Sequence, residues 1–167
     1  RESRALQKFW RILDALPPYD RRVDLLKNAV KLTPRLAPAL FGAVERCTSR
    51  LGIKATVDVF CEQNEFCNAF VLCPTEDRVT VCFTHSLLEL LDEEELCYIV
   101  GHELGHALFD HHALRQLVLL QEDEALAPAD VLRLYAWMRY AELTADRVGL
   151  LCSDSLEGAI HSAFKTF

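Results

Sequence analysis

Two histidines flank a glutamate in the stretch GHELGHALFDHH, residues 101–112. His102 and His106 are four residues apart, so on a helix their side chains project from one face, one turn apart. Two imidazole nitrogens placed in this way can both reach a Zn2+ ion at about 2.0–2.1 Å. Glu103 then lies beside the ion, where a general base is needed. The spacing predicts one Zn2+ per chain and hydrolytic chemistry.

Two carboxylates in RYAELTADRVGL, residues 139–150, are candidates for completing this site. Glu142 and Asp146 are also four residues apart and share one face of a predicted helix. Glu142 would supply a third protein ligand and leave the fourth position of a catalytic zinc site open. Asp146 would accept the free ring N–H of a ligand histidine. Alternatively, both are solvated carboxylates on an amphipathic helix, and Arg139 is expected to pair with one of them.

Beyond these residues, LLELLDEEELCYIVGHELGHALFDHH and RYAELTADRVGLL together resemble the gluzincin peptidases of the HtpX and CAAX-prenyl-endopeptidase family. Further upstream, CNAFVLCPTEDRVTVCFTHSLL resembles that family's Asn-Ala-Phe strand, its following strand and the short helix after it. The match covers about two-thirds of the chain, over residues 55–164. It implies a zincin-like fold with Glu103 as the catalytic acid/base. It also implies the zinc ligands His102, His106 and Glu142.

The same resemblance implies a peptide substrate that lies extended along an edge strand near Asn68, Ala69 and Phe70. Asn68 would hold a substrate backbone group, or it simply begins the strand after a turn. The family match also has an arginine at the position of Arg139. The chain departs from the family in two respects. No transmembrane helix is visible, and the chain ends at Phe167, before a His or Arg region that many members use at the oxyanion.

Hydrophobic periodicity predicts an α+β fold, in which a small antiparallel or mixed β-sheet packs against several α-helices. One of these is the metal-site helix, and a second gives the Glu ligand. Strands are predicted at residues 55–61, 68–73 and 78–83, with Pro74 closing the middle run. Before the strands, helices are predicted at residues 3–16, from the cap Asp20 to about Leu32, and from Thr33–Pro34 to Leu51 before Gly52. After the strands, a short helix is predicted at 86–91 after Thr84, and a longer one from the Asp92–Glu95 capping box to about His111. A loop at 121–128 is followed by helices from Pro128 to Cys152 and at Leu156–Phe164.

Two glycines interrupt the predicted metal-site helix. Gly101 and Gly105 each weaken a helix interior by about 1 kcal/mol relative to Ala. Their expected benefit is the close approach of another element to this helix.

Length and composition are those of one globular domain. The 167 residues are 51% hydrophobic and 26% charged, which is enough to build one core. We expect residues 1–167 to form a single zinc peptidase domain. Within it, a helical part covers 1–52, the sheet covers 55–83, and the helices with the active site cover 86–167. The net charge of −7 argues against nucleic-acid binding and against an anionic membrane patch.

Cysteine content and the termini bear on location. Seven cysteines without a CxxC pair are expected to be small buried hydrophobic residues, which suits a reducing cytosol. No apolar run is long enough to span a bilayer. The chain begins without Met or a signal peptide, so we expect it to be processed or to be part of a longer or membrane-tethered protein. A cytoplasmic location is predicted, and the oligomeric state is left open.

The remaining histidines are expected to lie outside the metal site. On a continuous helix, His111 is about 180° from His102, so it cannot share the ion. His111 and His112 are expected at the helix C-terminus, where a cationic ring suits the dipole. His111 can still form a hydrogen bond behind the site or to another helix. His85 is expected on the surface, and His161 is expected to pack or to be solvated.

These observations predict a zinc-dependent endopeptidase that hydrolyses peptide bonds with a Glu-activated, zinc-bound water. Its partners would be peptides or unfolded proteins. A second possibility is a zinc-bound but latent or non-catalytic module whose groove binds partners. A third is a purely structural metal, or a histidine pair that only packs.

Overall fold

The computed structural model of the chain describes residues 21–111 and 127–166. Several predicted features lie outside the described residues: the helix at 3–16, the cap Asp20, His112, and most of the loop at 121–128. Across the described ranges, no helix combines the length and the apolarity that crossing a membrane would require.

The described residues form an α+β fold with a mixed sheet and several helices, as predicted. The elements follow the chain in this order: α1 (Arg21–Asn28), β1 (Ala29–Lys31), α2 (Pro38–Leu51), β2 (Thr56–Glu62), β3 (Ala69–Thr75), β4 (Arg78–Thr84), α3 (His85–Leu88), α4 (Glu93–Leu108), α5 (Pro128–Ser153) and α6 (Leu156–Thr166).

The sheet has the strand order β1-β2-β4-β3. The β3–β4 hairpin is antiparallel, and β4 returns to lie parallel to β2, so the sheet is mixed. The prediction that Pro74 closes the middle strand was wrong, since β3 continues to Thr75 through an irregular register after Leu72. An outer strand tolerates proline because one side of its backbone donates no sheet hydrogen bond.

Two helix boundaries near the N-terminal side also differ from the prediction. Residues 29–31 are not helical but pair with β2 as strand β1, with Ala29 opposite Glu62. Helix α2 begins at Pro38 and not at Thr33–Pro34, because the Thr33 carbonyl accepts hydrogen bonds from following amides and forms a turn first. Gly52 ends α2 as predicted, in the left-handed conformation with φ of 68°.

Helix α4 is fixed at its start by the predicted capping box. The Asp92 side chain accepts from the Glu95 amide at 2.9 Å, and the Glu95 side chain accepts from the Asp92 amide at 2.8 Å. Leu104, which is fully buried, belongs to the same core cluster as sheet residues such as Phe83. The helix ends at Leu108, three residues earlier than predicted, and Asp110 then takes a positive φ of 51°.

Helix α5 lies very close to α4, as the glycines predicted. A Cβ atom added at Gly101 would lie 2.6 Å from the Cβ of Cys152, and one added at Gly149 would lie 2.8 Å from the Tyr98 carbonyl oxygen. Cys152 is buried with Cys47 among α2, α4 and α5, in the role of a small hydrophobic residue. Three glycines, counting Gly105, therefore allow the close contact between the two helices that carry the predicted metal ligands.

Candidate metal centre

Side chains from α4 and α5 converge at one point. The Nε2 atoms of His102 and His106, one turn apart on α4, are separated by 3.0 Å. The Glu142 Oε2 atom reaches in from α5 and lies 3.5 Å from each of these nitrogens. The structure thus brings together the three residues that the sequence singled out as ligands. Their ligand atoms are mutually close enough to hold a metal ion.

The second nitrogen of His102 is held by a carboxylate. Its Nδ1 lies 3.1 Å from Asp146 Oδ1, which also accepts a hydrogen bond from the Tyr98 hydroxyl at 3.0 Å. Burial disfavours a charged imidazole here, but the hydrogen bonds to Asp146 and Glu142 outweigh it and raise the pKa of His102 to about 10. The same contacts keep Asp146 ionised, because its hydrogen bond with His102 lowers its pKa.

Tyr98 was missed by the sequence reasoning. Burial and the nearby Asp146 carboxylate raise the pKa of its hydroxyl, so the group stays protonated and donates. A usable signal was present, because Tyr98 precedes His102 by four residues and therefore lies on the same helix face.

Glu142 is half exposed, yet its charge is strongly favoured. Hydrogen bonds with His102 and His106 hold the pKa of its carboxyl well below the ordinary range, against the opposing effect of burial. The group is therefore a carboxylate, which is the form that binds a metal ion.

His106 has its own partner behind the site. Its Nδ1 lies 3.1 Å from the Nδ1 of His111, whose side chain is buried. The prediction that His111 lies at the C-terminus of α4 was wrong, because α4 stops at Leu108 and the chain turns at Asp110. Because of this turn, the rotation of about 180° between His102 and His111, which holds only on a continuous helix, does not apply. The His111 ring lies next to His106 instead. The alternative, a hydrogen bond from His111 behind the site, is confirmed.

Glu103 lies next to the convergence point. The residue is 7% exposed, and it lines a cleft together with the three candidate ligands. Asn68 and Ala69 form another part of the same cleft, at the start of β3. The Phe70 side chain does not, because it is buried in a second core cluster with Phe60 and neighbours.

Asn68 is anchored by its main chain. The Thr84 hydroxyl accepts from the Asn68 amide at 3.0 Å and donates to the Asn68 carbonyl at 3.1 Å, and the Thr84 amide also donates to that carbonyl. Thr84 precedes α3 as expected, but its side chain serves Asn68 and makes no cap hydrogen bond. The side chain of Asn68 is therefore the part of this residue that can meet a ligand in the cleft.

Other residues considered from the sequence lie outside the site. Arg139 is exposed, and in the part of the chain that the structure describes it forms no ion pair with Glu142 or Asp146, whose partners are histidines and Tyr98. His85 accepts a hydrogen bond from the Asn64 amide. His161 is exposed on α6.

Comparison with known proteins identifies a matching protein family. Residues 34–167 match the model of peptidase family M48. The chain is 31% identical over 142 residues to the plastoglobule-localized metallopeptidase 48 of Arabidopsis thaliana, a match covering 78% of the chain and 41% of that protein. It is 36% identical over 84 residues to a protease HtpX homolog of Methanothermobacter thermautotrophicus, covering 50% of the chain and 32% of that protein. The matches thus span less than half the length of each of these relatives.

Proposed function

Since the chain belongs to peptidase family M48, we propose that it is a zinc-dependent endopeptidase with a zincin-like active site between α4 and α5. The observation that carries this proposal is the triangle of ligand atoms from His102, His106 and Glu142, with Glu103 beside it in the cleft. The relatives are named as metallopeptidases and proteases, which agrees with this chemistry.

Zinc fits the triangle in size and in donor type. Four ligands at about 2.0–2.1 Å in a tetrahedron lie about 3.3 Å from one another. The observed separations of 3.0 Å between the two nitrogens and 3.5 Å from each nitrogen to the Glu142 oxygen bracket that value. Two imidazoles and one carboxylate are a donor set of catalytic zinc sites, and they leave one position open. We propose one Zn2+ per chain at this site.

The bound ion would supply Lewis-acid activation of a water and of the scissile carbonyl. Glu103 is the group that moves the proton. Its carboxylate takes a proton from the attacking water and then delivers it to the amide nitrogen that leaves. Its position next to His102 in the sequence and its burial in the cleft support this role. Asp146 holds His102 in the orientation in which its Nε2 faces His106 and Glu142, where the ion would be bound.

The substrate would be a peptide in an extended conformation. Strand β3 is an outer strand of the sheet as described, and it packs next to α4. A peptide can align with such a strand through main-chain hydrogen bonds. We propose that Ala69 and Phe70 act through their backbone and Asn68 through its side chain, since the Asn68 backbone is bonded to Thr84.

Replacement of Glu103 by Gln tests the catalytic role. The variant keeps the shape of the side chain but cannot take up a proton, so we expect zinc content near one per chain and casein cleavage reduced by about 10²–10⁴-fold. Glu142→Ala is the matched comparison, because it should lose both zinc and cleavage. Cleavage by Glu103→Gln at the wild-type rate would overturn the mechanism. Stoichiometric zinc without cleavage by the wild type would favour the non-catalytic, partner-binding alternative.

A further inference from the structure

We propose that His111 is a positioning residue that orients His106 for metal binding through a hydrogen bond between the two imidazoles. The inference rests on the proposed zinc site. It assigns a function to His111, for which the sequence left a hydrogen bond behind the site as one of two alternatives. The carrying observation is the 3.1 Å distance between the Nδ1 atoms of the two rings.

The direction of this hydrogen bond follows from the geometry. The Nε2 atom of His106 points into the ligand triangle, where a metal ligand must be unprotonated. The proton of a neutral His106 ring is therefore on Nδ1, which donates to Nδ1 of His111. His111 must then accept at Nδ1 and carry its own proton on Nε2. The pair defines one tautomer for each ring.

The two ligand histidines are thus oriented by different chemistry. The partner of His102 is the Asp146 carboxylate, whereas the partner of His106 is a second imidazole. A carboxylate partner makes its histidine a stronger donor to a metal than a neutral partner does. The site therefore has one ligand supported by a negative charge and one supported by a neutral acceptor.

Several contacts hold the His111 ring in place. It is buried, and it stacks on Phe109 with ring centres 5.8 Å apart. It also packs nearly perpendicular to the Trp137 ring of α5, with ring centres 5.5 Å apart. The turn at Asp110, with positive φ, sets the direction from which the ring approaches. Helix α5 therefore contributes to the orientation of both histidines. Its Asp146 bonds to His102, and its Trp137 packs against His111, the partner of His106.

Two substitutions at His111 separate orientation from packing. His111→Phe keeps an aromatic ring against Trp137 but removes the acceptor. His111→Asn loses most of the ring but keeps an oxygen two bonds from Cβ, where histidine has Nδ1. If the hydrogen bond matters, zinc affinity should fall by about 10–100-fold in His111→Phe and by only a few-fold in His111→Asn. If the ring only packs, the order of the two variants should be reversed.

The measurements are zinc dissociation constants from competition with a chelator, and long-range ¹H–¹⁵N spectra of the zinc-loaded protein. The spectra should show His106 protonated at Nδ1 and His111 at Nε2. Thermal unfolding of the metal-free variants reports packing separately. His161→Phe, at an exposed position on α6, is the control and should bind zinc like the wild type.

The outcomes distinguish this inference from the proposed function. Wild-type affinity in His111→Phe, or a His111 ring protonated at Nδ1, would refute the positioning role while leaving the zinc site intact. Failure of the wild type itself to bind zinc more tightly than Glu142→Ala would refute both.

Discussion

The contact between α4 and α5 can be tested with one methyl group at Gly149. A Cβ atom at this position would lie 2.8 Å from the Tyr98 carbonyl oxygen and 3.0 Å from two atoms of the Tyr98 ring, whereas ordinary contacts are 3.4 Å or more. The carbonyl belongs to the backbone of α4, so it cannot rotate away as a side chain can. Gly149→Ala is therefore expected to push the two helices apart locally by about half an ångström.

The size of the effect follows from two opposing contributions. Alanine stabilises a helix interior by about 1 kcal/mol relative to glycine. Overpacking against a fixed backbone atom costs about 3 kcal/mol, at the upper end of its usual range. The free energy of unfolding should fall by about 2 kcal/mol. Gly42→Ala in α2 is the matched control, because its Cβ would have nothing within 4 Å, and this variant should gain up to about 1 kcal/mol.

Urea unfolding of the metal-free proteins measures both changes, and zinc competition measures the consequence at the site. Tyr98 donates to Asp146, which holds His102, so movement at Gly149 should also weaken zinc binding. We expect a loss of about tenfold in affinity for Gly149→Ala and none for Gly42→Ala. If Gly149→Ala proved as stable as Gly42→Ala, the claim that a Cβ atom at position 149 destabilises the contact between α4 and α5 would be refuted.

Two further predictions concern ion pairs away from the site. Lys165→Met should lower the free energy of unfolding by about 2 kcal/mol, because the fully buried Glu95 carboxylate loses the cation that lies 2.6 Å away; no change in urea unfolding would contradict this. Burial raises the pKa of Asp58, but hydrogen-bonded ion pairs with Lys31 and Arg78 outweigh it and hold that pKa below the ordinary value. Asp58 therefore stabilises the fold above about pH 4, and its contribution disappears as the pH falls through the lowered pKa. Asp58→Asn should be about 1 kcal/mol less stable than the wild type at pH 7, with a gap that narrows below pH 4, and a gap independent of pH would refute the assignment.

Some features were predictable because the physics that determines them is local. The capping box at Asp92 and Glu95, and the glycine after α2, follow from hydrogen bonds and backbone angles within a few residues. The four-residue spacing of His102 and His106 places them on one face of any helix that includes both. The long helix was predicted from Pro128 to Cys152 and is observed from Pro128 to Ser153, because proline in the first helical turn is a local start signal.

Other features depend on contacts distant in sequence, which periodicity does not encode. Residues 29–31 become a strand because β2 offers a partner, although the preceding pattern favours continued helix. The position of His111 depends on the backbone turn at Asp110, which changes the direction of the chain just after α4. The Phe70 side chain faces the second core cluster because its strand alternates between the two faces of the sheet.

The ligand triangle has its corners on two separate helices, and this makes an ion there a cross-link between them. Its binding energy would add directly to the stability of the α4–α5 contact, since an ion that binds the folded protein shifts the equilibrium towards it. Removal of the ion would leave His102 and His106 together on α4, but it would free Glu142 on α5 from them. Chelation should therefore increase amide exchange in α5 first, and only later in the strands of the sheet.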